Sequence, residues 1–158
     1  MKKALGIVLV SLSILMGCYK GTNTDCVPTV VQTKAPDPEI NSLKGWLIGN
    51  GISTTSDPRG FFYNISTPGT GATPTTCSLV TLDYVAKLLN GTKVDSSNNA
   101  YYRVNNFIAG WQEALPLLPQ GGVMTLYVPP SLAYGDKDNG NVPANSNLVF
   151  YIKLNKVE

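Results

Sequence analysis

The chain has 158 residues, 43% of them apolar, which is enough for one real core. Only 14% are charged, while glycine (15) and proline (11) are frequent, a balance that excludes a helical bundle and favours an all-β or α+β body. The formal charge of +2 resides in Lys2 and Lys3; without them 10 basic residues face 10 acidic ones, so no basic stripe remains for nucleic acid.

The first 17 residues read as a signal peptide. Met1-Lys2-Lys3 is a basic start, and Ala4 to Met16 is an apolar run too short to span a bilayer. The run ends in Leu15-Met16-Gly17-Cys18, which resembles a bacterial lipobox. That resemblance implies that Cys18 is diacylated and becomes the mature N-terminus, so that lipid alone reaches the membrane. Tyr19 follows, where many such lipoproteins carry an aspartate that retains them at the inner membrane. The implied location is the outer membrane, facing the periplasm or the cell surface.

Residues 18–36 read as a flexible tether, rich in Gly21, Thr22, Asn23, Thr24, Pro28 and Pro36. A lead-in follows over residues 37–77. Ile40, Leu43 and Leu47 fall at helical spacing and Gly49-Asn50-Gly51 stops the run. Gly60 to Ile65 reads as a short strand closed by Pro68-Gly69-Thr70-Gly71. With Cys18 taken by lipid, Cys26 and Cys77 remain in an oxidising compartment. A disulfide between them would add ~3–4 kcal/mol by loop entropy; two free thiols are the alternative.

The main body spans residues 78–158. Val80, Leu82, Tyr84 and Ala86 alternate on one face of a strand, and Asn90-Gly91 is a hairpin turn. Thr92 to Ser97 follows, and Tyr101 to Val104 reads as a short strand feeding a helix near Trp111. In Phe107-Ile108-Ala109-Gly110-Trp111-Gln112-Glu113-Ala114-Leu115, Trp111 and Leu115 stand i, i+4 and face one interior. Gly110 frees the backbone to turn, and Pro116 shortens the helix. Met124, Leu126 and Val128 alternate inward before Pro129-Pro130, as do Leu148, Phe150, Ile152 and Leu154. The expected fold is α+β: a strongly curved antiparallel sheet of five or so strands, a half-barrel around one short central helix, with an N-terminal helix-plus-strand extension.

Most catalytic repertoires are excluded. The chain has no histidine, hence no Ser-His-Asp or Cys-His arrangement, and with no third free thiol beside Cys26 and Cys77 it has no zinc site. Asp136 and Asp138 resemble a fragment of a calcium loop but lack its glutamate. What remains is a set of aromatics, Tyr84, Trp111, Tyr134 and Phe150, around the helix.

Their order and context carry a family resemblance. Val80-Thr81-Leu82-Asp83-Tyr84, Asp95-Ser96-Ser97, the segment Phe107 to Leu115, Pro129-Pro130-Ser131-Leu132-Ala133-Tyr134-Gly135 and Pro143 to Phe150 follow in succession. Together they resemble the FKBP-type peptidyl-prolyl cis-trans isomerases, in a bacterial lipoprotein form. The resemblance implies that Trp111 is the pocket floor, that Tyr84, Phe150 and Tyr134 are aromatic walls, and that Asp95 lies at the edge. It implies substrate contacts for Phe107, Ile108, Tyr102 and Val142, with the Ile108 N–H and the Tyr134 hydroxyl donating to peptide carbonyls. Val94 stands where the family usually has phenylalanine, which thins one wall.

The implied activity is isomerisation of Xaa-Pro bonds in unfolded exported proteins. It needs no metal or cofactor, because the barrier of ~18–20 kcal/mol is lost amide resonance. Macrolide inhibitors of the family are implied ligands. A non-catalytic proline-peptide binding module or holdase on the same fold is the alternative.

Overall fold

The computed structural model describes residues 26–29 and 31–158. The signal peptide expected over residues 1–17 and the lipidation expected at Cys18 lie outside the described residues. Six strands form one antiparallel sheet: β1 (Thr55–Ser56), β2 (Phe62–Thr67), β3 (Leu79–Leu88), β4 (Lys93–Arg103), β5 (Val123–Val128) and β6 (Leu148–Val157). Their spatial order is β1-β2-β5-β6-β3-β4. Two α-helices pack on this sheet, α1 (Asp37–Gly49) and α2 (Ala109–Ala114).

The alternation of side chains explains both packings. Met124, Leu126 and Val128 on β5 pair with Ile152, Phe150 and Leu148 on β6. These six join Val80, Leu82, Trp111 and Leu115 in the main core. The residues between them, Tyr127 and Val149, point the other way and meet Phe62 with Leu43 and Leu47 of α1. The central strands are therefore apolar on both faces, because each face has its own helix.

The lead-in is part of the sheet rather than an appendage. β2 pairs with β5 over Phe62↔Tyr127 to Thr67↔Val123, so residues 37–77 supply two of the six strands and residues 78–158 four. Of the tether expected over residues 18–36, Cys26, Thr29 and Ala35 are tied to the domain. Cys26 is disulfide-bonded to Cys77. The Thr29 N–H donates to Thr76 Oγ1, whose hydroxyl donates back to the Thr29 carbonyl, both at 3.1 Å. Ala35, 2% exposed, donates its N–H to the Arg59 carbonyl at 2.8 Å.

Two strands outrun their sequence signals. β4 is one continuous strand of 11 residues, not separate pieces at Thr92–Ser97 and Tyr101–Val104. Its polar middle is held by β3, with the Asn99 N–H donating to Asp83 Oδ1 at 2.8 Å beside a register shift between Leu82 and Tyr84. β6 continues past Leu154 to Val157. Leu115–Leu117 tightens into a 3-10 turn after α2, with Pro116 inside it. Gly110 serves close packing rather than turning: a Cβ there would lie 2.7 Å from Val128 Cγ1.

Candidate functional site

The site is built around Trp111. α2 turns its indole into the concave side of the sheet, leaving it 3% exposed. Tyr84 pairs with Ile152 and Ala86 with Phe150, so Tyr84 and Phe150 stand on one sheet face on neighbouring strands. Both rings meet the indole edge-on, Tyr84 at 5.3 Å and 89°, Phe150 at 5.2 Å and 86° between ring planes. Phe107 closes in at 4.7 Å. Such tilted contacts are the favourable arrangement for aromatic quadrupoles.

These rings enclose a cavity of about 180 Å³ whose remaining wall is Ile108, Tyr134, Asp95 and Asn106. Among the described residues, Asp95 is the one carboxylate that lines it. The Tyr84 hydroxyl donates to Asp95 Oδ2 at 2.5 Å, and the Ser96 N–H donates to Oδ1 at 2.8 Å. Burial, then the bond to Asp95 and its charge, push the Tyr84 phenol above its ordinary pKa. Burial and the Asp95 charge also raise Tyr134. Both phenols thus stay protonated donors at neutral pH.

The walls on loops are positioned by polar ties. The segment Val104 to Ile108 is fastened by Val104 N–H to the Ser78 carbonyl at 3.0 Å and Asn105 N–H to the Thr76 carbonyl at 2.9 Å. From α2, Gln112 Nε2 donates to the Phe107 carbonyl at 2.7 Å and the Asn105 carbonyl at 3.2 Å. On the opposite rim, Glu39 of α1 accepts from the Ser131 N–H at 2.9 Å and the Ser131 hydroxyl at 2.8 Å, fixing the turn before Tyr134. Asp138, part of the calcium-like fragment, instead accepts the Ala144 N–H at 2.7 Å and shapes the loop.

The structure brings together Tyr84, Asp95, Trp111, Tyr134, Phe150, Phe107 and Ile108 on one cavity. It leaves three expected substrate contacts outside the lining. Val142 is 7% exposed and packed in the core, because a bridge to Asn139 folds its loop inward. Val94 is half-buried against the core, its short side chain stopping there. Tyr102 is 53% exposed and meets Phe107 edge-on at 5.8 Å, so Phe107 stands between it and the indole. Asn106 and the clamp Gln112 carry no sequence signal, since only the folded loop reveals what they touch. A larger cleft of about 350 Å³ lies elsewhere, but holds none of these aromatics.

Comparisons with known proteins point to one family. The model of the FKBP-type peptidyl-prolyl cis-trans isomerase domain matches residues 71–155. The FKBP-type peptidyl-prolyl cis-trans isomerase FkpA of Aeromonas hydrophila is 37% identical over 112 residues, covering 68% of this chain and 41% of that protein. The outer membrane protein MIP of Legionella longbeachae is 39% identical over 106 residues, covering 64% of this chain and 46% of that protein. The chain therefore spans less than half the length of each. Among solved structures, a peptidyl-prolyl cis-trans isomerase of Pseudomonas syringae pv. tomato superposes with TM-score 0.68 at 29% identity, covering 80% of this chain and 98% of that one.

Proposed function

This chain belongs to the FKBP-type peptidyl-prolyl cis-trans isomerase family, and we propose that it rotates Xaa-Pro bonds in unfolded exported proteins. The observation that carries this reading is the indole floor of Trp111 beneath a cavity walled by Tyr84, Phe107 and Phe150, with one carboxylate at its rim. A planar amide is strongly dipolar; a twisted one is less so and loses less on leaving water. A dry aromatic cavity therefore favours the transition state over the ground state. The proline ring would sit on the indole, and the Ile108 N–H and Tyr134 hydroxyl would hold flanking carbonyls so that one bond turns.

Tyr84 and Asp95 play a positioning part, each fixing the other at the mouth of the cavity. No step transfers a proton or forms a covalent bond, so the lack of histidine is no obstacle. A protease-coupled assay on a Xaa-Pro peptide tests the reading: catalysed isomerisation that disappears in Trp111→Ala is expected. Peptide binding with no rate above the uncatalysed one would leave a proline-binding holdase instead.

We also infer a place in the cell envelope, as an outer membrane lipoprotein acylated at Cys18 after removal of residues 1–17. The lipobox-like Leu15-Met16-Gly17-Cys18 and a relative named as an outer membrane protein support it. Intact-mass measurement of protein from its native host decides this; an unacylated Cys18 would end the inference.

A further inference from the structure

The sequence holds three Asn-Gly pairs, Asn50-Gly51, Asn90-Gly91 and Asn139-Gly140. Such a pair is open to attack within itself, because glycine has no Cβ to shield its backbone nitrogen from the asparagine amide. All three pairs are exposed, so access to water does not separate them. Hydrogen bonding does. The Gly51 N–H donates to the Ile48 carbonyl at 3.0 Å, and Asn50 Nδ2 donates to the Trp46 carbonyl at 2.8 Å. The Gly91 N–H donates to the Leu88 carbonyl at 2.9 Å, and Asn90 Oδ1 accepts the Thr92 N–H at 3.0 Å. In both pairs the attacking nitrogen and the amide it would attack are held.

Asn139-Gly140 has neither restraint. The backbone of Asn139 exchanges two hydrogen bonds with Val142, each of 2.9 Å, across the turn Gly140-Asn141. Gly140, at φ 57, takes the first central position of that turn, where its N–H points out of the pairing. Among the described residues nothing accepts from the Gly140 N–H, and nothing bonds the Asn139 side-chain amide. A Cβ on Gly140 would meet no atom within 4 Å, so the space beside the turn is open. The bridge is also isolated from the named strands, so the turn can open without disturbing the sheet.

We propose that Asn139 is a site of spontaneous deamidation, selected by the fold from among the three pairs. The Gly140 nitrogen sheds its proton to solvent and attacks Asn139 Cγ; the N–Cγ bond forms, the Cγ–Nδ2 bond breaks, and ammonia leaves. Water then opens the cyclic imide. Breaking the N–Cγ bond gives aspartate, and breaking the bond to the backbone carbonyl carbon gives isoaspartate. Either product sets a new carboxylate beside Asp138. Isoaspartate also adds one carbon to the main chain, so residue 139 and Val142 can no longer exchange both bonds. That bridge holds Val142, 7% exposed, in the core, and Asn141 Nδ2 ties the same turn to the Val94 carbonyl at 3.4 Å. The modification therefore loosens the loop between Gly135 and Asn145. Asn139 lines no part of the aromatic cavity, so the site stands or falls apart from the isomerase reading.

The test incubates the full chain, its Cys26–Cys77 bridge intact, at pH 8 and at pH 6. Peptide mapping by mass follows amide-to-acid exchange at each pair and separates aspartate from isoaspartate by elution. Asn139 should convert at least about tenfold faster than Asn50 or Asn90, each of which must first break two hydrogen bonds. Conversion should be slower at pH 6, because the attacking nitrogen must lose a proton. In urea with the bridge reduced, no fold restrains any pair and the three rates should come together. Asn139→Gln should give no product at residue 139, since its longer side chain must close a larger ring, and should leave the other two sites unchanged. Conversion of Asn50 or Asn90 as fast as Asn139 in the native protein overturns the proposal. The same ranking surviving in urea does so too, because sequence and not fold would then set it. Should the variant fail to fold, these comparisons within the wild-type chain are sufficient.

Discussion

The Tyr84 hydroxyl donates to the Asp95 carboxylate at 2.5 Å, tying β3 to β4 just beyond a register shift in their pairing. Removing it by Tyr84→Phe leaves the ring in place and frees the carboxylate. The loss should be roughly 0.5–1.5 kcal/mol of stability, because the pair is open to water. Turnover on Xaa-Pro peptides should fall a few-fold. Urea unfolding and the isomerase assay measure the two; unchanged values in both would show that the bond does not organise the mouth of the cavity.

Val94 gives a sharper test of the cavity. Its side chain stops in the core wall and lines no part of the cavity. A ring at this position would extend further and add apolar surface beside Asp95. Val94→Phe should raise kcat/KM for Xaa-Pro peptides several-fold. A drop in kcat/KM with stability intact would mean that the ring blocks the entrance.

Gly110 marks how closely α2 approaches the sheet. A Cβ there meets Val128 Cγ1 at 2.7 Å, so Gly110→Ala should cost about 1–3 kcal/mol through overpacking. Adding Val128→Ala should restore part of that loss, a coupling that a double-mutant cycle reads directly. Trp111→Ala, by contrast, hollows the core and should cost about 3–5 kcal/mol together with all activity.

Absence of histidine leads to an expectation of no titration between about pH 5.5 and 8, and for the cavity walls that expectation stands as a prediction for the rate. Stability should behave differently because of Glu113, whose burial pushes its carboxyl up. Its folded pKa, about 7, lies above the ordinary 4.5, so the folded state holds this proton more tightly than the unfolded chain. The associated stability is fully present below about pH 4.5 and is lost as pH rises to about 7. Urea midpoints of the wild type should fall across that window relative to Glu113→Gln. Parallel pH profiles for the two proteins would contradict the burial argument.

The Cys26–Cys77 bridge spans a sequence separation of 51 residues. A double Cys→Ser variant should lose about 4 kcal/mol by loop entropy, seen as a lower unfolding midpoint without a change in the aromatic cavity. Tying this variant's midpoint to the reduced wild-type protein separates the bridge from the substitutions themselves.

Periodicity in the sequence carried most of the fold. Leu43 and Leu47, Val80 to Ala86, and Leu148 to Leu154 announce a helix and two strands, because an apolar side chain on one face is a local property. Tyr127 and Val149 look like outward positions until α1 is seen to cover them. The polar run Ser96 to Asn99 hides a strand whose partner lies elsewhere in the chain. In the site, Trp111, Tyr84 and Phe150 were legible through their ordered motifs. Gln112 and Glu39 were not, since Gln112 reaches back to a carbonyl of the loop before its own helix, which only the folded loop presents, and Glu39 reaches Ser131, which is distant in sequence.

β6 lies between β5 and β3, yet it follows both in the chain. A ribosome therefore releases β1, β2 and β5 as one fragment of sheet and β3 with β4 as another, with nothing to join them. Until Leu148–Val157 emerges, Phe150, Ile152 and Leu154 are missing from the core, and Trp111 lacks one of its walls. The order of strands thus postpones closure of this sheet until β6 has been made.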